Sequence, residues 1–312
     1  MTQTILVTGA AGLLGRAVCD RLRQDGQRVI ATDLVASPSG SRAVLLADLT
    51  DIHRLHAITA DGPLNGIVHC GAFSGPMVGI DNPYRLVSVN VMGTVNLLEL
   101  ARIRKCRRIV CCSSTSAYGP TPRAPVVPGP VPEDVALAPS SVYGATKAAL
   151  EPLVAGYARQ HGVDGVALRL SWIYGPGRTT DCVIRTMLTD ALHGRITRLA
   201  WGQDFHRQFL HVDDAARALV LALQAPPLPR RVYTITGERY LTLGDLAGIV
   251  RDLLPGADIA LEAGPDPLDD DQAQFDTAAA QRDLGFMPAI SLEDGIRGYA
   301  EWLDARRDGA FA

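Results

Sequence analysis

Short apolar runs alternate with longer stretches in which apolar residues fall three and four apart. Residues 4–8, 29–32, 66–70, 108–113 and 165–171 are rich in Val and Ile, and Ile5-Leu6-Val7 and Ile109-Val110 are apolar without interruption. Such runs are expected as strands covered on both faces. Between them, residues 84–104 carry Val87, Val91, Val95 and Leu98 at helical spacing, and a second helix is expected over 142–162. The alternation predicts βαβ units, hence an α/β fold with a Rossmann-type doubly wound parallel sheet.

Two regions break the pattern. Residues 120–139 are rich in proline and are expected as an irregular surface excursion, a candidate cover for a site. From Tyr174 onward, loops at 175–181, 226–230 and 264–271 separate short elements. The expected division is a large unit over 1–170, to which helix 212–223 and strand 232–236 return within 211–236. A smaller, interleaved α/β unit is expected from 171–210 and 237–312.

The first strand ends in Thr8-Gly9-Ala10-Ala11-Gly12-Leu13-Leu14-Gly15, followed by a helical stretch. Glycines there allow a tight turn and close approach of backbone to a pyrophosphate, while the helix N-terminus supplies N–H donors and a positive dipole. The second strand ends in Asp33, at the spacing where a carboxylate accepts from ribose hydroxyls and repels a 2′-phosphate. NAD is therefore expected over NADP, with Arg16 a possible moderator. Asp48-Leu49 follows the run 44–47, and Asp48 is expected either at an adenine amino group or as a helix N-cap.

Composition narrows the partners. The 312 residues have a net charge of −3 with both signs interspersed, so no basic field exists for nucleic acid or an anionic membrane. No apolar run reaches the roughly 20 residues of a membrane span, and no secretion signal is read at the N-terminus. The six cysteines have neither metal-ligand nor disulfide spacing and are expected as fillers in a reducing cytoplasm; no metal site is expected.

Tyr143-Gly144-Ala145-Thr146-Lys147 sets a phenol and an ammonium one helical turn apart. A phenol is a weak base at neutral pH, and a nearby ammonium favours its ionised form. Ser113-Ser114-Thr115-Ser116 follows a strand, at the sheet end where ligands bind. The expected trio is Tyr143 as base, Lys147 as its electrostatic partner and Ser114 as orienter of the reacting oxygen. Pro152 lies two turns into the same helix and predicts a kink or early distortion.

These motifs, with His69-Cys70-Gly71-Ala72, Asn90-Val91-Met92-Gly93-Thr94, Tyr118-Gly119, Tyr174-Gly175-Pro176-Gly177, Arg207 through Asp214 and Leu284-Gly285-Phe286, run along nearly the whole chain. The sequence resembles the extended short-chain dehydrogenases/reductases, which include nucleotide-sugar epimerases, dehydratases and sugar dehydrogenases. The resemblance implies an NAD-binding domain over 1–170 and a substrate-binding domain over 171–210 and 237–312. It implies cofactor contacts from Gly9, Gly12, Leu13, Leu14, Gly15, Asp33, Asp48, Leu49, Gly71, Ala72, Asn90 and Lys147. Its implied substrate contacts are Ser74, Thr115, Ser171, Arg178 and Arg207. It also implies a homodimer, pairing helices 84–104 and 142–162 across a two-fold axis.

Departures from the family bear on the reaction. Dehydratases of the family follow the catalytic hydroxyl with Asp-Glu, where this chain has Thr115-Ser116, so dehydration is disfavoured. Related UDP-sugar epimerases carry an asparagine after the sixth strand and a later arginine, where this chain has Ser171-Trp172 and Gly264-Pro265-Asp266-Pro267-Leu268. The expected activity is an NAD-dependent epimerase of a sugar, nucleotide-linked, acting through a transient ketone. The alternative is a dehydrogenase of a free sugar, sugar acid or small hydroxy compound.

Overall fold

The computed structural model describes residues 2–35, 43–121 and 129–306. The first half runs β1 (Thr4–Thr8), α1 (Leu13–Gln24), β2 (Arg28–Asp33), β3 (Val44–Leu46), α2 (Ile52–Ile58), β4 (Gly66–His69), α3 (Pro83–Val87), α4 (Gly93–Arg104), β5 (Arg108–Ser114) and α5 (Val142–His161). The second half continues with β6 (Gly165–Leu170), β7 (Trp172–Tyr174), α6 (Val183–Leu192), β8 (Ile196–Gly202), β9 (His206–His211), α7 (Val212–Gln224) and β10 (Val232–Ile235). It ends with β11 (Tyr240–Thr242), α8 (Leu243–Leu253), β12 (Asp258–Glu262), α9 (Ala278–Leu284) and α10 (Leu292–Asp304).

Seven strands form one parallel sheet in the order β10-β6-β5-β4-β1-β2-β3. The doubly wound architecture expected from the strand runs is thus present. Side chains alternate across it: Ile5 and Val7 enter a core with Val18 and Leu22 of α1 and Leu219 of α7, while Leu6 enters one with Leu97 of α4 and Leu150 and Val154 of α5. Both faces are covered, which is why these strands are apolar throughout. Strand order reverses between β1 and β4, the place where such sheets open a crevice for ligands. A separate core of α6, α8 and α10, with Phe205 and Phe209, underlies two small sheets, β11-β9-β7 and β12-β8.

Three expectations need correction. The helix expected over 84–104 is α3 and α4 joined through a π-turn over Ser88–Met92, centred on Asn90. Pro83–Arg104, 22 residues with an 18-residue stretch of mean hydropathy 1.3, is long and apolar enough to cross a membrane, unlike the shorter runs considered above; half of that stretch is buried in the protein, and the segment packs against the sheet and neighbouring helices. α5 runs unbroken through Pro152, which sits on its solvent side. Finally, residues 122–128 lie outside the described residues, and 129–139 do not line the main cleft. Instead Val131 bridges to Phe275, whose ring stacks on Tyr118 at 4.6 Å.

Candidate active site

A cleft of about 500 Å³ opens at the strand-order reversal, floored by the turn after β1 and walled by the loop after β4, the end of β5 and the start of α5. Gly9 adopts φ +67°, and a Cβ there would come within 2.6 Å of the Gly71 nitrogen. At Gly15 a Cβ would fall 2.0 Å from the Gly9 carbonyl oxygen. These positions therefore reject any side chain. α1 begins at Leu13 with Gly12 as N-cap and no side-chain cap, so its first N–H groups are left for a ligand. Asp33 also lines the cleft; its carboxylate accepts from the Ala11 N–H at 2.9 Å and the Leu34 N–H at 2.6 Å.

Ser114, Tyr143 and Lys147 meet at the other end. Ser141 caps α5 by accepting from the Gly144 N–H at 3.0 Å, which sets the helix start beside the turn after β5. Tyr143 and Lys147 share the buried face of α5 with Leu150, Glu151 and Val154. The Lys147 ammonium donates to the Cys112 carbonyl at 2.8 Å and lies 5.7 Å from the centre of the Tyr143 ring. Ser114 Oγ accepts from the Ser116 N–H at 3.1 Å, holding the turn that presents Ser114, Thr115 and Ser116 to the cleft. Ser74, Ser171 and Arg178 complete this rim. Among the described residues lining this cleft, Asp33 is the one carboxylate. Asp269 and Asp270 share a smaller adjoining cleft with Thr115.

Gly9, Gly12, Leu13, Leu14, Gly15, Asp33, Leu49, Gly71, Ala72, Ser74, Ser114, Thr115, Tyr143, Lys147, Ser171 and Arg178 all line this one cleft. Three other expected site residues do not. Asp48 accepts from the Thr50 N–H and hydroxyl and pairs with Arg85 at 2.6 Å, while Asp51, not Asp48, caps α2. Asn90 lies behind the wall, where its amide exchanges hydrogen bonds with Phe73 N–H and C=O and donates to Thr146, pinning the Phe73 loop to α5. Arg207 lies in an adjoining small cleft, paired with Asp266 and Asp269.

The sequence model of the NAD-dependent epimerase/dehydratase family matches residues 5–235, spanning the glycine turn, the Ser-Tyr-Lys trio and β10. The chain belongs to that family. UDP-glucuronate 4-epimerase 4 of Arabidopsis thaliana is 28% identical over 330 residues, covering 96% of this chain and 75% of the relative. A dTDP-glucose 4,6-dehydratase of Streptomyces niveus is 31% identical over 319 residues, covering 97% and 93%. The crystal structure of a UDP-glucose 4-epimerase with UDP-glucose from Thermotoga maritima superposes with a TM-score of 0.88 at 25% identity, covering 97% of this chain and 99% of that one. The extended short-chain dehydrogenase/reductase resemblance is therefore sound, and the chain is an NAD-dependent enzyme of this type.

Residues that support this family site went unread in the sequence. Glu151 lies one turn beyond Lys147 and forms a buried fork with Arg169 of β6 at 2.7 and 2.9 Å, while accepting from Ser113 of β5 at 2.8 Å. This network ties α5 to β5 and β6. His69 bridges Thr8 at 2.8 Å and Thr94 at 3.1 Å; burial first, and the Lys147 charge second, push its pKa down to about 3, so it stays neutral. The signal available in the sequence was polar residues inside apolar strands, at His69, Ser113 and Arg169.

Proposed function

We propose that this chain is an NAD-dependent epimerase that inverts a secondary alcohol of a nucleotide-linked sugar, the carbon-4 stereocentre, through a transient ketone. The observation that carries the reading is one cleft holding the side-chain-free glycine cradle at one end and Tyr143, Lys147 and Ser114 at the other. The uncapped N-terminus of α1 and the Gly9–Gly71 approach fit a pyrophosphate, and Asp33 fits ribose hydroxyls. Bound there, NAD supplies a hydride acceptor and donor.

The chain's own residues move the proton and fix the substrate. Tyr143 takes the hydroxyl proton as the carbonyl forms and returns it on reduction; Lys147 stabilises the phenolate and contacts the nicotinamide ribose; Ser114 donates to the reacting oxygen. Epimerisation requires the ketone to be retained and presented by its other face. The sequence has Thr115-Ser116, with no carboxylate, directly after Ser114, which supports simple hydride chemistry over elimination of water. The relatives' printed activities on UDP-sugars support the substrate class. Internal pairing of Arg207 favours a second reading, a dehydrogenase of a non-nucleotide hydroxy compound.

A homodimer is proposed through α3–α4 and the start of α5, which expose Tyr84, Val87, Met92, Ile103 and Val142. A cytoplasmic location is proposed from the six free thiols. The decisive experiment incubates NAD-loaded protein with UDP-glucose, UDP-glucuronate and the free sugars, following stereochemistry by NMR and NADH by absorbance. Inversion without NADH accumulation is expected, and loss of turnover with retained NAD binding in Tyr143→Phe. Stoichiometric NADH from a free sugar would establish the dehydrogenase instead, and unchanged turnover in Tyr143→Phe would remove the proposed base.

A further inference from the structure

Arg207 on β9 is buried beside the catalytic cleft. Its guanidinium is stacked 4.0 Å over the Trp172 ring and 5.3 Å from the centre of Phe205, so its position is fixed by aromatic walls. One amino group of the fork donates to both Asp266 and Asp269, the latter at 3.1 Å, and Asp269 also accepts from the Trp172 indole at 2.8 Å. Both carboxylates belong to one loop, 264–271. Two negative charges thus share one positive charge where water is scarce, and burial, with Asp266 alongside, holds the Asp269 carboxyl above its ordinary range despite Arg207.

A second nitrogen of that guanidinium is not satisfied. Arg207 Nε, the Ser171 hydroxyl and His206 Nδ1 are all buried without a hydrogen-bond partner. All three residues line the same small cleft, which shares Thr115, Ser171 and Trp172 with the catalytic cleft. Two orphaned donors, Arg207 Nε–H and Ser171 O–H, call for an acceptor there. At the tip of the loop that occupies Arg207, Pro267 and Leu268 are exposed and line, with Ile80, an open cleft of about 360 Å³ that reaches Tyr143.

We infer that Asp266 and Asp269 are an internal stand-in for a ligand's phosphoryl oxygens: they occupy the Arg207 fork, and a phosphorylated ligand is held at Arg207 and Ser171 only after loop 264–271 gives the arginine up. The carboxylates then act as a built-in competitor that weakens the grip on diphosphate and sets substrate preference. The inference deepens the nucleotide-sugar reading and rests on it for the identity of the ligand.

The test is titration calorimetry of UDP into NAD-loaded wild type, Asp266→Asn, Asp269→Asn and the double variant, with uridine as the phosphate-free control. Asparagine keeps the size and an oxygen acceptor for Trp172, so the fold is retained; melting temperature and NAD affinity verify this. The double variant is expected to bind UDP at least about tenfold more tightly, about 1.4 kcal/mol, with no gain for uridine and with the gain erased by adding Arg207→Met. Unchanged or weaker UDP binding in the folded double variant, an equal gain for uridine, or a gain that survives Arg207→Met would overturn the latch. Wild type that inverts UDP-sugars without any gain in the variants keeps the functional reading and removes the latch. A gain in the variants with no UDP-sugar inverted by wild type keeps the latch and removes that reading.

Discussion

Gly144 follows Tyr143, the proposed base, directly, and its replacement by alanine isolates how closely the serine turn and α5 must approach. A Cβ at Gly144 would lie 2.4 Å from the Ser116 carbonyl oxygen and 3.0 Å from Pro139 Cβ, where ordinary contact begins near 3.4 Å. About 1 Å must therefore be found by moving one backbone segment from the other. The turn has little to give: Gln272 donates to the Thr115 and Gly119 carbonyls at 2.8 and 3.0 Å. The body of α5 is held by Glu151 and Arg169, so the first turn of the helix, with Tyr143, takes the displacement. A shift of about 1 Å at a reacting group lowers rate by roughly 10²-fold. Stability separates this from a propensity effect, since Gly→Ala in an unobstructed helix stabilises by about 0.5–1 kcal/mol, whereas overpacking costs about 1–3 kcal/mol. Gly144→Ala should thus lose about two orders of magnitude in kcat for the UDP-sugar that wild type inverts, melt lower, and keep its NAD affinity, because the glycine turn is untouched. Wild-type kcat together with a higher melting temperature would refute the steric argument.

Two further predictions concern the buried polar groups. Glu151→Leu leaves the Arg169 charge, 4% exposed, without its partner and should cost about 3–5 kcal/mol in urea unfolding, whereas the double variant Glu151→Leu/Arg169→Met should recover much of that loss; a double variant as unstable as the sum of the singles would show that the pair is not the coupled unit. His69 titrates near 6.5 when unfolded and is pushed down to about 3 in the fold, so the unfolded chain binds the extra proton over that window. Its contribution to stability is complete above about pH 6.5 and declines as pH falls toward 3, and His69→Gln should flatten that slope in unfolding measured between pH 7 and 4; an unchanged slope would assign it to other groups.

The legible part of the molecule is the part encoded over short stretches. Ile5-Leu6-Val7 announces a strand covered on both faces because the two layers of helices accept its alternate side chains, and the Tyr143–Lys147 spacing announces a shared helix face. Asn90 was placed at the cofactor by its motif, but the π-turn around it directs its amide to Phe73 and Thr146. Nothing in the helical spacing of 84–104 signals an extra residue in one turn. Pro152 predicts a kink or early distortion from its ring alone; sequence does not give its side of the helix, which is the exposed one, and α5 is continuous through it.

The reaction class and the substrate are written at different ranges along the chain. The glycine cradle, the serine turn and the start of α5 each depend on neighbours within a motif, or on backbone approaching backbone, as at Gly15 with Gly9 and Gly144 with Ser116. Such contacts admit only glycine, so they mark the sequence plainly. The proposed grip on the substrate depends instead on pairs such as Arg207 with Asp266 and Asp269, 59 and 62 residues apart, and Trp172 with Asp269, 97 apart. A carboxylate in a surface loop looks the same in sequence whether it is solvated or seated on a buried guanidinium. Substitutions at Asp266 and Asp269 are therefore expected to shift which ligand is held more than they change proton and hydride chemistry, since neither residue lines the cleft of Ser114, Tyr143 and Lys147.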